Sequence, residues 1–182
     1  MNRHLTKTDN HSIPDKLFLR RKATEGLEQL NILDLYAGNN ILWNNFDRAR
    51  YYGIEIVPGK GCNLTADCHR IISSLDLSGF NVIDCDSYGI PFDVVQQIFE
   101  NPTLAPGTVI VYTAISNKMS SVSRRCLDMF GLTELSRQSR TLVNGLAINL
   151  FYAALERWGV DVVHRYTLKS TYTKHYGYFV VP

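Results

Sequence analysis

The sequence predicts an α/β domain, a largely parallel β-sheet with helices on both faces. Three observations carry that prediction. From residue 15 onward, short apolar strand-like runs alternate with segments of helical spacing. One of those runs, GTVIVYTAI (107–115), is almost continuously apolar, the pattern of a strand buried on both faces. The chain then closes with two strand-like runs in succession, VDVVHRYTL (160–168) and YTKHYGYFVV (172–181), which a tight connection makes an antiparallel hairpin.

The elements follow in order. Residues 1–14 are polar and aperiodic and read as a flexible arm. Residues 15–29 read as a helix leading into a first strand at 31–35, which Gly38 ends. A brief helical stretch spans 41–48, and YYGIEIV (51–57) is a second strand rich in aromatic and β-branched residues. PGKG (58–61) is a turn, CNLTAD (62–67) a short third strand, and CHRIISSL (68–75) a helix. NVIDCD (81–86) is the fourth strand. FDVVQQIF has apolar residues at 92, 94, 95, 98 and 99, a helical spacing. After the fifth strand a helix is expected within 117–130. Another is expected over 141–158, where Leu142, Leu146, Leu150, Ala154 and Trp158 recur every four residues as a core stripe. Residues 15–182 form one domain, with no repeat or linker.

Bulk properties exclude several classes. A net charge of +2 neither demands nor excludes a nucleic-acid partner. The basic run Lys16, Arg20, Arg21 and Lys22 reads as a solvated face, as do Arg124 and Arg125, for which phosphate contact is the alternative. Cys62, Cys68, Cys85 and Cys126 form no CxxC and no zinc pattern, so no metal site is expected. Reduced thiols and the lack of a signal-like leader predict a cytoplasmic protein. No apolar run reaches the roughly 18 residues of a membrane span. Cys85 is flanked by acids, which disfavours its thiolate as a nucleophile.

In open α/β sheets, ligands bind beyond the carboxyl ends of the strands. Five acids end four successive strands: Asp34, Glu55, Asp67, and the pair Asp84 and Asp86. A helix cap or turn residue is the alternative for any one of them alone. Gly38 followed by Asn39 and Asn40 is not GxGxxG, and GxxxxGK[ST] is missing, so neither a dinucleotide site nor a P-loop is expected. An acidic crevice suits a cation or a ligand presenting hydroxyls and amines. Asn39 and Asn40 serve either a tight turn or a ligand, Trp43 either the core or the crevice wall, and His69 either a helix start or the ligand.

ILDLYAGNN resembles the first motif of class I S-adenosylmethionine-dependent methyltransferases. That resemblance covers about 25–182 and implies their three-layer Rossmann-like fold, a mostly parallel seven-stranded sheet with a C-terminal antiparallel hairpin. It implies S-adenosyl-L-methionine as cofactor, held by Asp34, Tyr36, Gly38, Asn39, Glu55, Asp67 and Cys68. Glu55 falls on the ribose-binding acid and Asp67 on the adenine contact. DCDSYGIPF is similar to the DxDPYG-type segment of tRNA guanine N2-dimethyltransferases. By that resemblance Asp84, Asp86 and Tyr88 frame the acceptor, an exocyclic amine of a nucleic-acid base, with RNA or DNA as partner. The sequence departs from the pattern at Ser87, which stands for a proline, and at VPGKGC, too short for a helix between the second and third strands. Those departures point to the alternative of a non-catalytic binding module. A small-molecule methyltransferase is the other alternative.

Overall fold

The computed structural model describes residues 13–39, 41–116, 121–169 and 173–182. Its seven strands are β1 (Asn31–Asp34), β2 (Arg50–Glu55), β3 (Leu64–Thr65), β4 (Val82–Cys85), β5 (Val109–Ser116), β6 (Val163–Lys169) and β7 (Thr173–Val180). They form one sheet in the order β3-β2-β1-β4-β5-β7-β6. The pairs among β1 to β5 are parallel, whereas β7 runs antiparallel to both β5 and β6. The three-layer α/β architecture with a closing hairpin is therefore the one the sequence predicts.

Alternation along the strands assigns the two faces. Leu33, Ile83, Cys85, Ile110 and Tyr112 point into the larger core, with Ile72, the helix α3 (Phe92–Phe99) and the helix α7 (Ala147–Arg157). Ile32, Val82, Val109 and Val111 point the other way, against Leu19 and Ala23 of helix α1 (Ile13–Ala23) and against Trp43. Each large side chain so buried contributes roughly 1.5–3 kcal/mol, and the number of them is what holds the layers together. Short helices α2 (Cys68–Ile71), α4 (Arg124–Met129), α5 (Thr133–Gln138) and α6 (Arg140–Gly145) complete the described set, with single 3₁₀ turns at Trp43–Asn45 and Ile72–Ser74. Residues 56–63, between β2 and β3, contain no helix, as VPGKGC predicts.

Several expectations need correction. The first helix ends at Ala23 rather than 29, because Gly26 takes φ +87° and turns the chain. Residues 13 and 14 belong to that helix and not to the arm; residues 1–12 lie outside the described residues. The helix expected over 141–158 is broken at Gly145–Leu146 into α6 and α7. Its four-residue stripe drifts off the core, since a helix repeats every 3.6 residues. Leu142 and Leu146 are exposed, while Val143, Ala147, Phe151, Ala154 and Leu155 are buried. Of the helix expected within 117–130, residues 117–120 lie outside the described residues and α4 forms the remainder. Helix α5 buries no residue, so no apolar period announced it.

Candidate functional site

The loop after β1 turns at Tyr36-Ala37-Gly38, with Gly38 at φ +52°. Ala37 N–H donates to the Ile54 carbonyl over 3.0 Å, which lays the loop across β2. The strand permits this at Gly53: a Cβ there would lie 2.9 Å from the Ala37 Cβ and from the Tyr51 hydroxyl. Glu55, the last residue of β2, accepts from Gly38 N–H (2.9 Å) and Val57 N–H (3.0 Å), one to each carboxylate oxygen. Two backbone donors thus orient this carboxylate and tie β2 to the β1 loop. Ile56, next in the chain, is 64% exposed. Asp67 caps α2 through His69 N–H at 3.1 Å and lies 3.6 Å from Arg70 Nε. The Tyr36 hydroxyl meets His69 Nε2 at 3.1 Å. Asn39 is exposed, and Asn40 lies outside the described residues.

The acids of β1 and β4 are differently placed. Asp34 and Asp84 are register partners on neighbouring strands, both buried on the face covered by α1. Asp84 Oδ2 accepts from Arg20 Nε (2.8 Å), Arg20 Nη2 (2.5 Å) and Trp43 Nε1 (2.6 Å). Two residues on, Asp86 accepts from Lys16 Nζ at 2.5 Å, with Arg20 Nη2 at 3.7 Å. Lys16 and Arg20 are one helical turn apart on α1, so one face of that helix delivers both cations to the end of β4. Arg20 is 1% exposed; the expectation of a solvated basic face fails there, because its guanidinium is the counter-ion of a buried carboxylate.

Charge states follow from this packing. Burial pushes the Asp34 carboxyl up, and the neighbouring Asp84 pushes further, to about 8, although Tyr36 N–H and the Tyr51 hydroxyl bind it. This packing favours the neutral form of Asp34. Burial also pushes Asp84 up, against the pull of Arg20. For Asp86 burial is outweighed by Lys16 and Arg20, which hold it below the ordinary carboxylate range. Burial pushes the Cys68 thiol up, and burial with Asp84 raises Cys85 well above its ordinary value. Neither cysteine is an activated nucleophile.

Beyond β4, Ser87 N–H donates to the Cys85 carbonyl at 2.7 Å, a bond a proline could not make. Its hydroxyl lies 3.5 Å from the Thr113 carbonyl. Tyr88 projects outward, 73% exposed, and Ile115 N–H holds the Gly89 carbonyl at 2.8 Å. The fold thus brings Tyr36, Gly38, Glu55, Asp67 and Cys68 around the ends of β1 to β3, and Asp86 and Tyr88 to the end of β4. Asp34 and Asp84 lie beneath α1. Sequence reasoning did not assign Lys16, Arg20, Tyr51 or Ile56 to this region; a pair of cations spaced i, i+4 beside the buried Leu19 and Ala23 was the available signal for the first two. A depression of about 430 Å³ lined by Gln96, Glu100, Arg125, Asp128 and Met129 shares no residue with this crevice. Among the described residues no group of three or more His, Cys, Asp and Glu side chains is arranged to hold a metal ion, and no helix is long and apolar enough to cross a membrane.

No protein-family model matches the chain, and no curated protein matches its sequence. Solved structures share its fold. The N-methyltransferase NodS from Bradyrhizobium japonicum, in complex with S-adenosyl-L-homocysteine, is 12% identical with a TM-score of 0.58, covering 100% of this chain and 93% of its own. Trm1 from Pyrococcus horikoshii, in complex with S-adenosyl-L-methionine, is 15% identical with a TM-score of 0.56 over 94% of this chain; the chain spans 56% of Trm1. A precorrin-8w decarboxylase from Methanobacterium thermoautotrophicum is 14% identical with a TM-score of 0.52, covering 91% of this chain and 89% of its own. The chain therefore has the Rossmann-like methyltransferase fold that its first motif implied. Identities this low show the fold alone.

Proposed function

We propose that the chain is an S-adenosylmethionine-dependent methyltransferase whose acceptor is an exocyclic amine on a flat heterocycle, most simply a nucleic-acid base. The observation that carries the cofactor half is Glu55: a carboxylate at the end of β2, fixed by two backbone N–H groups and still offering a lone pair on each oxygen. That acceptor fits an adenosyl group. Glu55 accepts from the two ribose hydroxyls, the exposed Ile56 packs on the adenine face, and Asp67 accepts from the adenine amine. Gly38, without a side chain, leaves the β1 loop open to close approach. The bound cofactor supplies an activated methyl on a sulfonium.

Asp86 and Tyr88 serve the acceptor. Asp86 is an ionised carboxylate that accepts an N–H, and Tyr88 presents an exposed ring on which a planar base stacks. NodS, an N-methyltransferase of the same fold, is consistent with nitrogen as the methylated atom. A labelled-methyl assay against total RNA, DNA and small metabolites tests this reading. Label is expected in a base amine; label only in a small metabolite favours the small-molecule alternative.

One observation favours a second reading, a non-catalytic module of the same fold. Both acids at the end of β4 are paired with cations from α1, Asp84 with Arg20 and Asp86 with Lys16. That reading expects cofactor or nucleic acid to bind with no label transferred to any acceptor.

A further inference from the structure

The charged cluster beneath α1 has two unlike halves. In the inner half, Arg20 and Asp84 are each 1% exposed, and Asp84 Oδ2 takes three donors from side chains locked in the core. Access to that pair requires α1 to lift from the sheet. In the outer half, Lys16 is 19% and Asp86 12% exposed, and the ammonium rides on a flexible four-carbon stem. The inner pair anchors the helix, and the outer pair lies nearer solvent.

Asp86 stands two residues before Tyr88, whose ring is exposed. A planar amine stacked on Tyr88 and reaching Asp86 finds Lys16 Nζ already there, 2.5 Å from Oδ2. Arg20, Asp84 and Thr113 also face Asp86, and none of these vacates it: Arg20 is committed to Asp84, and Thr113 sits in β5. Among the described contacts of Asp86, Lys16 is the one on a partly exposed, flexible stem and so the one that exchanges.

We propose that Lys16 is an internal competitor, an ammonium that occupies the acceptor's seat on Asp86 until an N–H donor replaces it. The inference rests on the assignment of Asp86 and Tyr88 to the acceptor. Binding then exchanges one N–H donor on the carboxylate for another while Lys16 swings into solvent. A base that presents an amine can make that exchange. A base of the same shape lacking the amine cannot, because a displaced Lys16 would leave the carboxylate facing a ring edge with nothing to donate. Asp86 thus selects for amines, and Lys16 lowers the affinity with which they bind.

Guanosine and inosine, which differ by the exocyclic amine, are the probes, titrated by calorimetry or NMR into the wild-type protein and into Lys16→Met. With the competitor removed, guanosine is expected to bind the variant at least fivefold more tightly, and inosine with unchanged affinity. Lys16→Gln, which keeps a donor but loses the charge, is expected to fall between. In carboxyl-labelled protein the Asp86 signal should move when guanosine is added and stay still with inosine. Equal gains for both nucleosides, no gain for guanosine, or no guanosine binding to any of the three proteins overturns the proposal. None of these readouts needs methyl transfer, so a protein without activity still decides it, while failure of cofactor binding counts against the methyltransferase reading alone.

Discussion

The two ends of the crevice use the same chemical group, a carboxylate, in opposite ways. At the end of β2, Glu55 is held by backbone N–H groups of its immediate surroundings, and no side-chain cation approaches it among the described contacts. At the end of β4, Asp84 and Asp86 are held by side chains 64 and 70 residues earlier in the chain. A carboxylate fixed by backbone donors keeps its charge available to a ligand. One fixed by a buried guanidinium spends that charge on holding a helix to the sheet. The crevice is consequently less acidic than five acids suggest, since its packing favours the neutral form of Asp34 and two of the remaining four are paired with α1.

The largest expected effect comes from breaking the β4 end. Arg20→Met leaves Asp84 ionised or protonated without its main donor, and a loss of about 3–5 kcal/mol in stability is expected from denaturant unfolding. Pairing it with Asp84→Asn should recover most of that loss. A single variant as stable as the wild type would mean that α1 is not held by this pair.

Asp34 gives a pH test of the same burial. Its carboxyl titrates near 8 in the folded protein, against about 4 unfolded, so between those values the unfolded chain releases a proton that the folded one keeps. Stability should therefore fall as pH rises from about 4 to about 8, by up to roughly 1.4 kcal/mol per pH unit from this group. Asp84, also pushed up, adds in the same direction. Asp86 acts oppositely: its contribution is full above about 4 and fades as pH falls through its lowered value. Asp34→Asn should flatten the decline between 4 and 8, measured as the denaturant midpoint against pH. An unchanged slope would place the proton elsewhere.

Smaller effects sharpen the contrast. Trp43→Phe keeps most of the buried ring but removes the Nε1 donor from Asp84 Oδ2; about 1–3 kcal/mol of destabilisation is expected by thermal or chemical unfolding. Tyr88→Ala, at an exposed ring, should change stability by less than about 0.5 kcal/mol while weakening the binding of a flat base. A large stability loss there would make Tyr88 structural.

Much of the fold was legible because it rests on local periodicity. The apolar runs at 81–86 and 107–115 and the helical spacing at 92–99 each encode their own burial. The break at Gly145–Leu146 was not legible, since leucines every four residues look helical without showing which way the helix faces. Glu55 at the end of β2, and Gly38 and Asp67 in the loops after β1 and β3, lie where the order of strands in the sequence puts them. The fate of Asp84 was not legible, because its partners come from α1 and from Trp43, and no short-range pattern records that pairing. Ser87 looked like a lost proline; its N–H bonded to Cys85 shows a turn built on a different contact.

The most direct test of the account is calorimetric titration of S-adenosyl-L-methionine into the wild-type protein and into Glu55→Ala. Binding by the wild type, and at least a tenfold loss in a variant that stays folded by circular dichroism, is the predicted result, as removing a charged acceptor from hydroxyl donors costs roughly 1.5–3 kcal/mol. Absence of binding to the wild type, or equal affinity in the two proteins, would contradict it.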